Sequence, residues 1–294
     1  MALKKIFNLH EEATHIRLRE TCQKYGASVY PKLRLADVLP IESSGITDDL
    51  YRYALQAHFD FVITDDAHTP LFSVEFDGPL HREEMHIARD EKKNNLCRIF
   101  DFPILRINAR YLNKKYRNFD LLSWFVEVWF FREEFFKAQE QGLIPWDEPF
   151  DPMLIMRLPG RKERFPLWLS ADQLIKIQKL AKEKKIKDFA PTMWIGADDY
   201  GNYHGIMWLW IDEKSGVVTH SAMRAQNYPI VEGEILSELL IFQLYDELSR
   251  VLKGEEYPVA IDTINMRVKD YTEKYQMRMA GGLHLPPGNP FKAK

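Results

Sequence analysis

Apolar and polar positions alternate in two short runs before the midpoint of the chain. From His58 to Thr64, Phe59, Phe61 and Ile63 alternate with Asp60 and Val62, and from Leu71 to Asp77, Phe72, Val74 and Phe76 alternate with Ser73, Glu75 and Asp77. A period of two predicts two strands, each with its residues sorted onto two faces. The intervening DDAHTP suits a hairpin loop. Pairing Thr64 with Leu71 then sets Asp60 opposite Glu75. Gly78-Pro79 ends the second strand, and a helix follows from about Arg82 to Phe100. Arg89, Lys93, Cys97 and Phe100 share one stripe of that helix, and its apolar second half must face the sheet. Pro103 to Asn108 (PILRIN) reads as a buried strand with Arg106 embedded in it.

The flanks extend this pattern. Upstream are a helix, a strand, a polar loop from Pro40 to Asp49 and a short helix from Asp49 to Gln56. Downstream, Phe119 to Gln141 forms a helix with aromatics on nearly all sides, which predicts burial against more than one element. Pro145, Pro149, Pro152, Pro159 and Pro166 then exclude a single helix or strand across the 22 residues they span. The expected organisation is a first domain over 1–144, a linker over 145–166, a second α+β domain over 167–276 and a flexible tail over 277–294. The second domain reads as a helix N-capped by Ser170, strands at Thr192–Ala197, Gly205–Ile211 and Gly216–Ala222, a helix at Gly233–Leu252 and a strand at Tyr257–Ile261.

Composition changes this picture little. The chain has 294 residues, 46% of them hydrophobic and 13% aromatic, which suits two globular domains. Two cysteines, Cys22 and Cys97, are too few for a disulfide framework and lack metal-ligand spacing, and Cys97 reads as a core thiol. With no signal-peptide core and no apolar run long enough for a membrane span, the expected location is cytoplasmic, without a membrane partner. Net charge is −3, so no global basic field exists, but residues 157–187 hold ten Lys and Arg against three acids. That segregation fits either phosphate contacts, through Arg161, Lys162, Arg164, Lys182 and Lys185, or a solvated helix face.

The chemistry concentrates on the hairpin. Directly opposed like charges repel, and Asp60 facing Glu75, with Asp77 two residues on, needs a counter-charge. A hard divalent cation with oxygen ligands supplies one; the alternative is that an acid points to solvent or pairs with a lysine. Arg89 and Lys93 stand on the sheet-facing stripe of the following helix.

These residues carry a resemblance. A strand Asp60, a hairpin, Glu75-x-Asp77-Gly-x-x-His81, a helix with Arg89-Asp-x-x-Lys93 and a closing PILRI strand resemble the PD-(D/E)xK nuclease superfamily, and most of all the small bacterial domains related to very-short-patch-repair endonucleases. HEEATHIRLRETCQKYG, with Glu12, and SVYPKLRLADVL resemble the opening helix and strand of that branch, so the similarity spans about residues 7–112. It implies a restriction-endonuclease-like mixed sheet flanked by helices, in an α/β chain. It also implies Mg2+ or Mn2+ on Asp60 and Glu75, Glu12 as an outer metal contact, Asp77 or His81 orienting the attacking water, and Lys93 and Arg89 against the phosphate. The superfamily's lysine two residues after the glutamate is Asp77 here, so the cation must come from elsewhere, with Lys93 first and Lys32 second. The expected function is a metal-dependent endonuclease acting on DNA more than RNA, in repair or in defence against foreign DNA. A homodimer is favoured if both strands are cut. One alternative is a nucleic-acid-binding module of the same fold without turnover. Another is a ribonuclease acting through the second domain, whose element order weakly resembles a ribonuclease-H-like fold with Asp198, Glu238 and Asp262 as its acids. A zinc site at His81 and His86 is disfavoured, because their five-residue spacing does not share a helix face.

Overall fold

The computed structural model describes residues 5, 7–77, 84–112, 120–151, 155–156, 165–166 and 169–285, without the side chains of 84–87, 155–156 and 165–166. The chain divides into two compact units. The first is Met1–Pro152, Met156–Leu167 and Gln226–Ile230, and the second is Met153–Ile155, Trp168–Ala225 and Val231–Lys294. The boundary therefore falls within the proline-rich stretch, and a short segment from far downstream returns to the first unit.

The first unit opens with α1 (Leu9–Cys22). Asn8 caps it, its side chain accepting from the His10 and Glu11 amides, while the Glu11 carboxylate accepts from the Asn8 amide at 2.9 Å. This reciprocal pairing is a capping box. There follow β1 (Ser28–Pro31), α2 (Leu35–Val38), α3 (Asp48–Gln56), β2 (Phe61–Thr64), β3 (Pro70–Phe76), α4 (Glu84–Ile99), β4 (Ile104–Ile107) and α5 (Leu121–Glu140). The sheet order is β1-β2-β3-β4. The first two pairings are antiparallel and β3–β4 is parallel, with α4 as the crossover that a parallel pair requires. The hairpin is one residue tighter than expected, because Thr64 pairs with Pro70 rather than Leu71. An irregularity between Ile63 and Thr64 absorbs the difference, and Phe61 still pairs with Val74.

Helices cover both faces of this sheet. Val62 and Ile104 face Ala54 of α3 and Leu96 and Cys97 of α4, all in one buried cluster with Phe59 and Phe102. On the opposite face the Phe72 ring lies 4.8 Å from Trp129 of α5, and Phe61 stacks on His15 of α1 at 5.9 Å. Burial pushes the Cys97 thiol up to about 12, with the nearby Glu75 charge adding to the rise, as suits an unreactive core residue.

Further along the chain, β5 (Ile155–Met156) and β6 (Phe165–Pro166) pair as a short ribbon. The second unit contains α6 (Ala171–Lys182), β7 (Thr192–Ala197), β8 (Tyr203–Trp210), β9 (Ser215–Met223), α7 (Glu232–Leu252), β10 (Val259–Ala260), α8 (Ile261–Lys274) and β11 (Gln276–Gly281). Its sheet order is β10-β9-β8-β7-β11, antiparallel throughout. Strand residues sort the helices onto opposite faces. Trp194, Ile206, Trp208 and Trp210 cluster with Ile264 and Val268 of α8. Gly205 instead faces Leu236 and Leu240 of α7, so closely that a Cβ there would lie 2.6 Å from Leu240 Cδ1.

Two expectations for this unit need correction. The strand expected over Tyr257–Ile261 has only two residues and gives way to α8, whose buried Ile264 and Val268 are spaced for a helix. The tail expected to be flexible from 277 instead supplies β11 against β7. His284 holds the chain beyond it, its amide donating to Thr192 Oγ1 at 3.1 Å and its ring bonding the buried Asp188 carboxylate at 2.9 Å.

Candidate functional site

Register places four charged residues in one row across the first sheet. Pro31 pairs with Phe61 and Phe61 with Val74, so Lys32, Asp60 and Glu75 lie side by side, and Glu75 pairs directly with Arg106. Alternation puts this row on the face covered by α4. The sequence of charges is plus, minus, minus, plus.

Side chains lock the row together. Asp60 Oδ2 accepts the Phe76 amide at 3.0 Å, and Glu75 Oε1 accepts the Asp60 amide at 3.0 Å, so each acid is pinned by a backbone N–H of the other's strand. Lys32 Nζ bridges Asp60 Oδ1 and Glu11 Oε1, both at 2.6 Å. Lys32 adopts φ 55°, a left-handed backbone rarely taken by a residue with a side chain, and its amide donates to Asp60 O at 3.0 Å. Strain of this kind persists only where surrounding contacts determine it, and it clusters at functional sites. From α4, Lys93 Nζ donates to Glu75 Oε2 and, at 2.8 Å, to the His58 carbonyl.

The far end of the row is equally ordered. Arg106 Nη1 lies 3.1 Å from Asp77 and 3.4 Å from Asp90, while Asn94 Oδ1 accepts from Nε and Nη2 at 3.1 and 2.8 Å. Asp90, Lys93 and Asn94 occupy one side of α4, and Lys93 and Asp90 are both 8% exposed. Burial opposes the charge on Arg106, but Asp77, Glu75 and Asp90 together hold its guanidinium above its ordinary pKa. Lys32 behaves likewise: burial opposes its charge, and Asp60 and Glu11 outweigh it. At Glu75 burial wins. The carboxyl is pushed above the ordinary glutamate value by desolvation, Lys93 pulls it down, and Asp60 pushes it up again.

Glu11, Asp60, Glu75, Asp77 and Asp90 thus share Lys32, Lys93 and Arg106 in one network of ion pairs.

Several expected residues stand elsewhere. Glu12 is exposed, and the acid that α1 brings to the row is Glu11. The helix starts at Leu9, so Glu11 occupies the capping-box position and Glu12 points about 100° away. Arg89 is exposed, and its place facing the sheet is taken by Asp90. His81 lies outside the described residues, as does the His86 side chain. So do Arg161, Lys162 and Arg164, whereas Lys182 is exposed and Lys185 pairs with Glu183 at 2.8 Å on the surface. Ser170 takes the N-cap position of α6, but its hydroxyl makes no capping bond.

The three acids proposed for the second unit do not converge. Asp198 organises a turn, accepting the Tyr200 and Asn202 amides at 3.0 and 2.9 Å and the His204 ring at 3.0 Å. Glu238, on α7, accepts the Ser170 amide at 2.6 Å. Asp262 is exposed in the first turn of α8, across the sheet from α7. The strand after the long helix joins β9 at the sheet edge and runs antiparallel to it, with the residues expected to extend it wound into α8.

Residues 3–119 match the model of a family described as a protein of unknown function (DUF2726). No curated protein and no solved structure matches the chain. The matched span contains every residue of the charged row, together with Glu11, Asp77, Asp90, Lys93 and Asn94. Among the described residues no helix is long and apolar enough to cross a membrane.

Proposed function

We propose that the first unit hydrolyses phosphodiester bonds in nucleic acid, DNA in preference to RNA, with Mg2+ or Mn2+ held at Asp60 and Glu75. Repair, or defence against foreign DNA, is the setting that suits such an activity, and cutting both strands favours a homodimer. One observation carries the reading. Two acids sit side by side at the centre of a sheet, with a buried lysine from the covering helix reaching the same spot.

The donor set fits a hard cation. All the acid donors are oxygens. Among the described residues no group of three or more His, Cys, Asp or Glu side chains is placed to cage an ion. A Mg2+ ion takes one or two carboxylates and fills its remaining positions with water and phosphate oxygens, so Asp60 and Glu75 are the two it would use. When bound, such an ion supplies a water of lowered pKa and positive charge at the phosphate.

The chain's own residues do the rest. Lys32 and the Phe76 amide hold Asp60, and Lys93 and the Asp60 amide hold Glu75, so both carboxylates are fixed in place. Lys93 presents an ammonium in a water-poor setting, where a donor to an anionic oxygen acts strongly. Asp77, fixed by Arg106, is the group assigned to orient the attacking water.

A second reading also has an observation behind it. All four carboxylate oxygens of Asp60 and Glu75 already accept a hydrogen bond from the chain, as a self-neutralised binding module without turnover would have them. Plasmid, single-stranded DNA and RNA incubated with Mg2+, Mn2+ or EDTA separate the two. Metal-dependent cleavage that Glu75→Gln abolishes, with binding retained, supports the hydrolase. Binding without cleavage in either metal selects the module, and neither binding nor cleavage refutes both.

A further inference from the structure

Residues 226–230 follow β9 in the sequence, yet they belong to the first unit. They run along the edge of β4 that β3 leaves open. Gln226 makes a two-point clamp on Arg106: its Oε1 accepts the Arg106 amide at 2.8 Å and its Nε2 donates to the Arg106 carbonyl at 3.2 Å. Asn227 does the same one step away, its carbonyl accepting the Ile104 amide at 2.7 Å and its side chain donating to Phe102 O at 3.1 Å. Tyr228 anchors the segment in the core, 6% exposed, with its ring 5.4 Å from both Phe72 and Trp129 and its hydroxyl donating to Phe125 O at 3.1 Å.

The contact falls on the strand that sets Arg106 beside Glu75. Alternate amides of a strand point to opposite edges, so those of Ile104 and Arg106 turn away from β3, and both residues are buried. A buried N–H without an acceptor is strongly disfavoured. The Arg106 side chain, on the same residue, is the guanidinium that Asn94 orients toward Asp77 and Asp90. We infer that Gln226 is a positioning residue for the charged row: it fixes the β4 backbone at Arg106, and through it the guanidinium that holds Asp77. Its consequence for cleavage rests on the hydrolase reading, but its consequence for Arg106 does not.

The test uses the full chain carrying Gln226→Ala, beside Gln226→Glu, which keeps the acceptor and loses the donor. Three quantities are read: amide exchange at Arg106 with Ile104 as internal control, the nitrogen–proton signal of the Arg106 Nε–H, and kcat and KM for DNA cleavage. In Gln226→Ala the Arg106 amide should exchange at least about tenfold faster, the loss of one hydrogen bond, while Ile104, held by Asn227, keeps its protection. The Nε–H signal should shift or broaden, and kcat should fall on the order of tenfold with KM little changed. Gln226→Glu should restore part of each. An exposed Arg106 amide with an unmoved Nε–H signal would overturn the inference, leaving Gln226 a sealant of the strand edge. If Gln226→Ala does not fold, Gln226→Glu decides by the same signal. Should the wild-type chain cleave nothing, the hydrolase reading fails, and the Arg106 signal still settles the role of Gln226.

Discussion

Replacing Lys93 by Met deletes one charge from a place water barely reaches. Lys93 is 8% exposed and its partner Glu75 5%. Methionine keeps most of the stem's bulk, so the loss is that of the ammonium, which donates to Glu75 and to the His58 carbonyl. Removing one member of a buried ion pair costs about 3–5 kcal/mol, because the other charge is left stranded. Glu75 retains the Asp60 amide at 3.0 Å and lies beside Arg106 in the register, so the lower end applies, about 3 kcal/mol. The pH dependence has a definite sign. Burial already holds the Glu75 carboxyl above its ordinary value, Lys93 opposes that rise and Asp60 adds to it, so the variant's carboxyl is raised further. A carboxyl raised on folding contributes stability that is fully present below its unfolded pKa and is lost as the pH climbs through the folded one. The deficit should therefore be larger at high pH and shrink in acid, where Glu75 takes a proton. Hydrogen exchange of the β2 and β3 amides, corrected for intrinsic rates, reads the first unit alone under both conditions. The double variant Glu75→Gln, Lys93→Met should recover much of the loss. A deficit below about 1 kcal/mol at alkaline pH, or one that is the same in acid, would refute the buried pairing.

Three further outcomes are expected. Glu11→Ala should cost about 1 kcal/mol in thermal denaturation through the lost capping box and Lys32 contact, and Glu12→Ala less than about 0.5 kcal/mol; the reverse ranking would reassign the acid of α1. Gly205→Ala should destabilise the second unit by about 1–3 kcal/mol in urea, since its Cβ would meet Leu240 Cδ1 at 2.6 Å, and a neutral result would mean that α7 yields. Mg2+ affinity, measured by calorimetry, should fall on acidification while the pH is still above the ordinary glutamate range, because Glu75 must shed a proton that burial makes it keep; a fall confined to lower pH would dissociate Glu75 from the ion.

How far the sequence carries can be judged residue by residue. Asp60 opposite Glu75 was legible because a period-two pattern bounded by turn residues leaves little freedom of register, and the tightened turn changed only the Thr64 pairing. Lys93 was legible because Cys97, one turn on, had to face the core. Asp90 and Asn94 were not, since helical spacing does not say which polar neighbour of Lys93 turns inward. Glu11 was legible in principle: Asn8-x-x-Glu11 is a capping signature, and reading it would have set the phase of α1 and chosen Glu11 over Glu12. Helix α8 was missed because Tyr257 to Ile261 reads as a strand when the spacing of Ile264 and Val268 is not followed onward. Gln226 had no local signal at all. Its partner lies 120 positions away, and nothing in a glutamine's own neighbourhood names a backbone it will clamp.

The row itself argues that more than stability shaped it. An apolar residue at position 75 would pack beside Val62 and Ile104 without any desolvation penalty, whereas a carboxylate there is held above its ordinary pKa even with Lys93 in contact. Replacing a buried ion pair by apolar groups is often neutral or stabilising. Here the chain maintains not one pair but two adjacent acids, ties each to a neighbouring strand's amide, and spends a left-handed lysine to reach the second of them. Two carboxylates fixed in this way at a cost to folding are what the proposed hydrolase would use to receive a divalent cation.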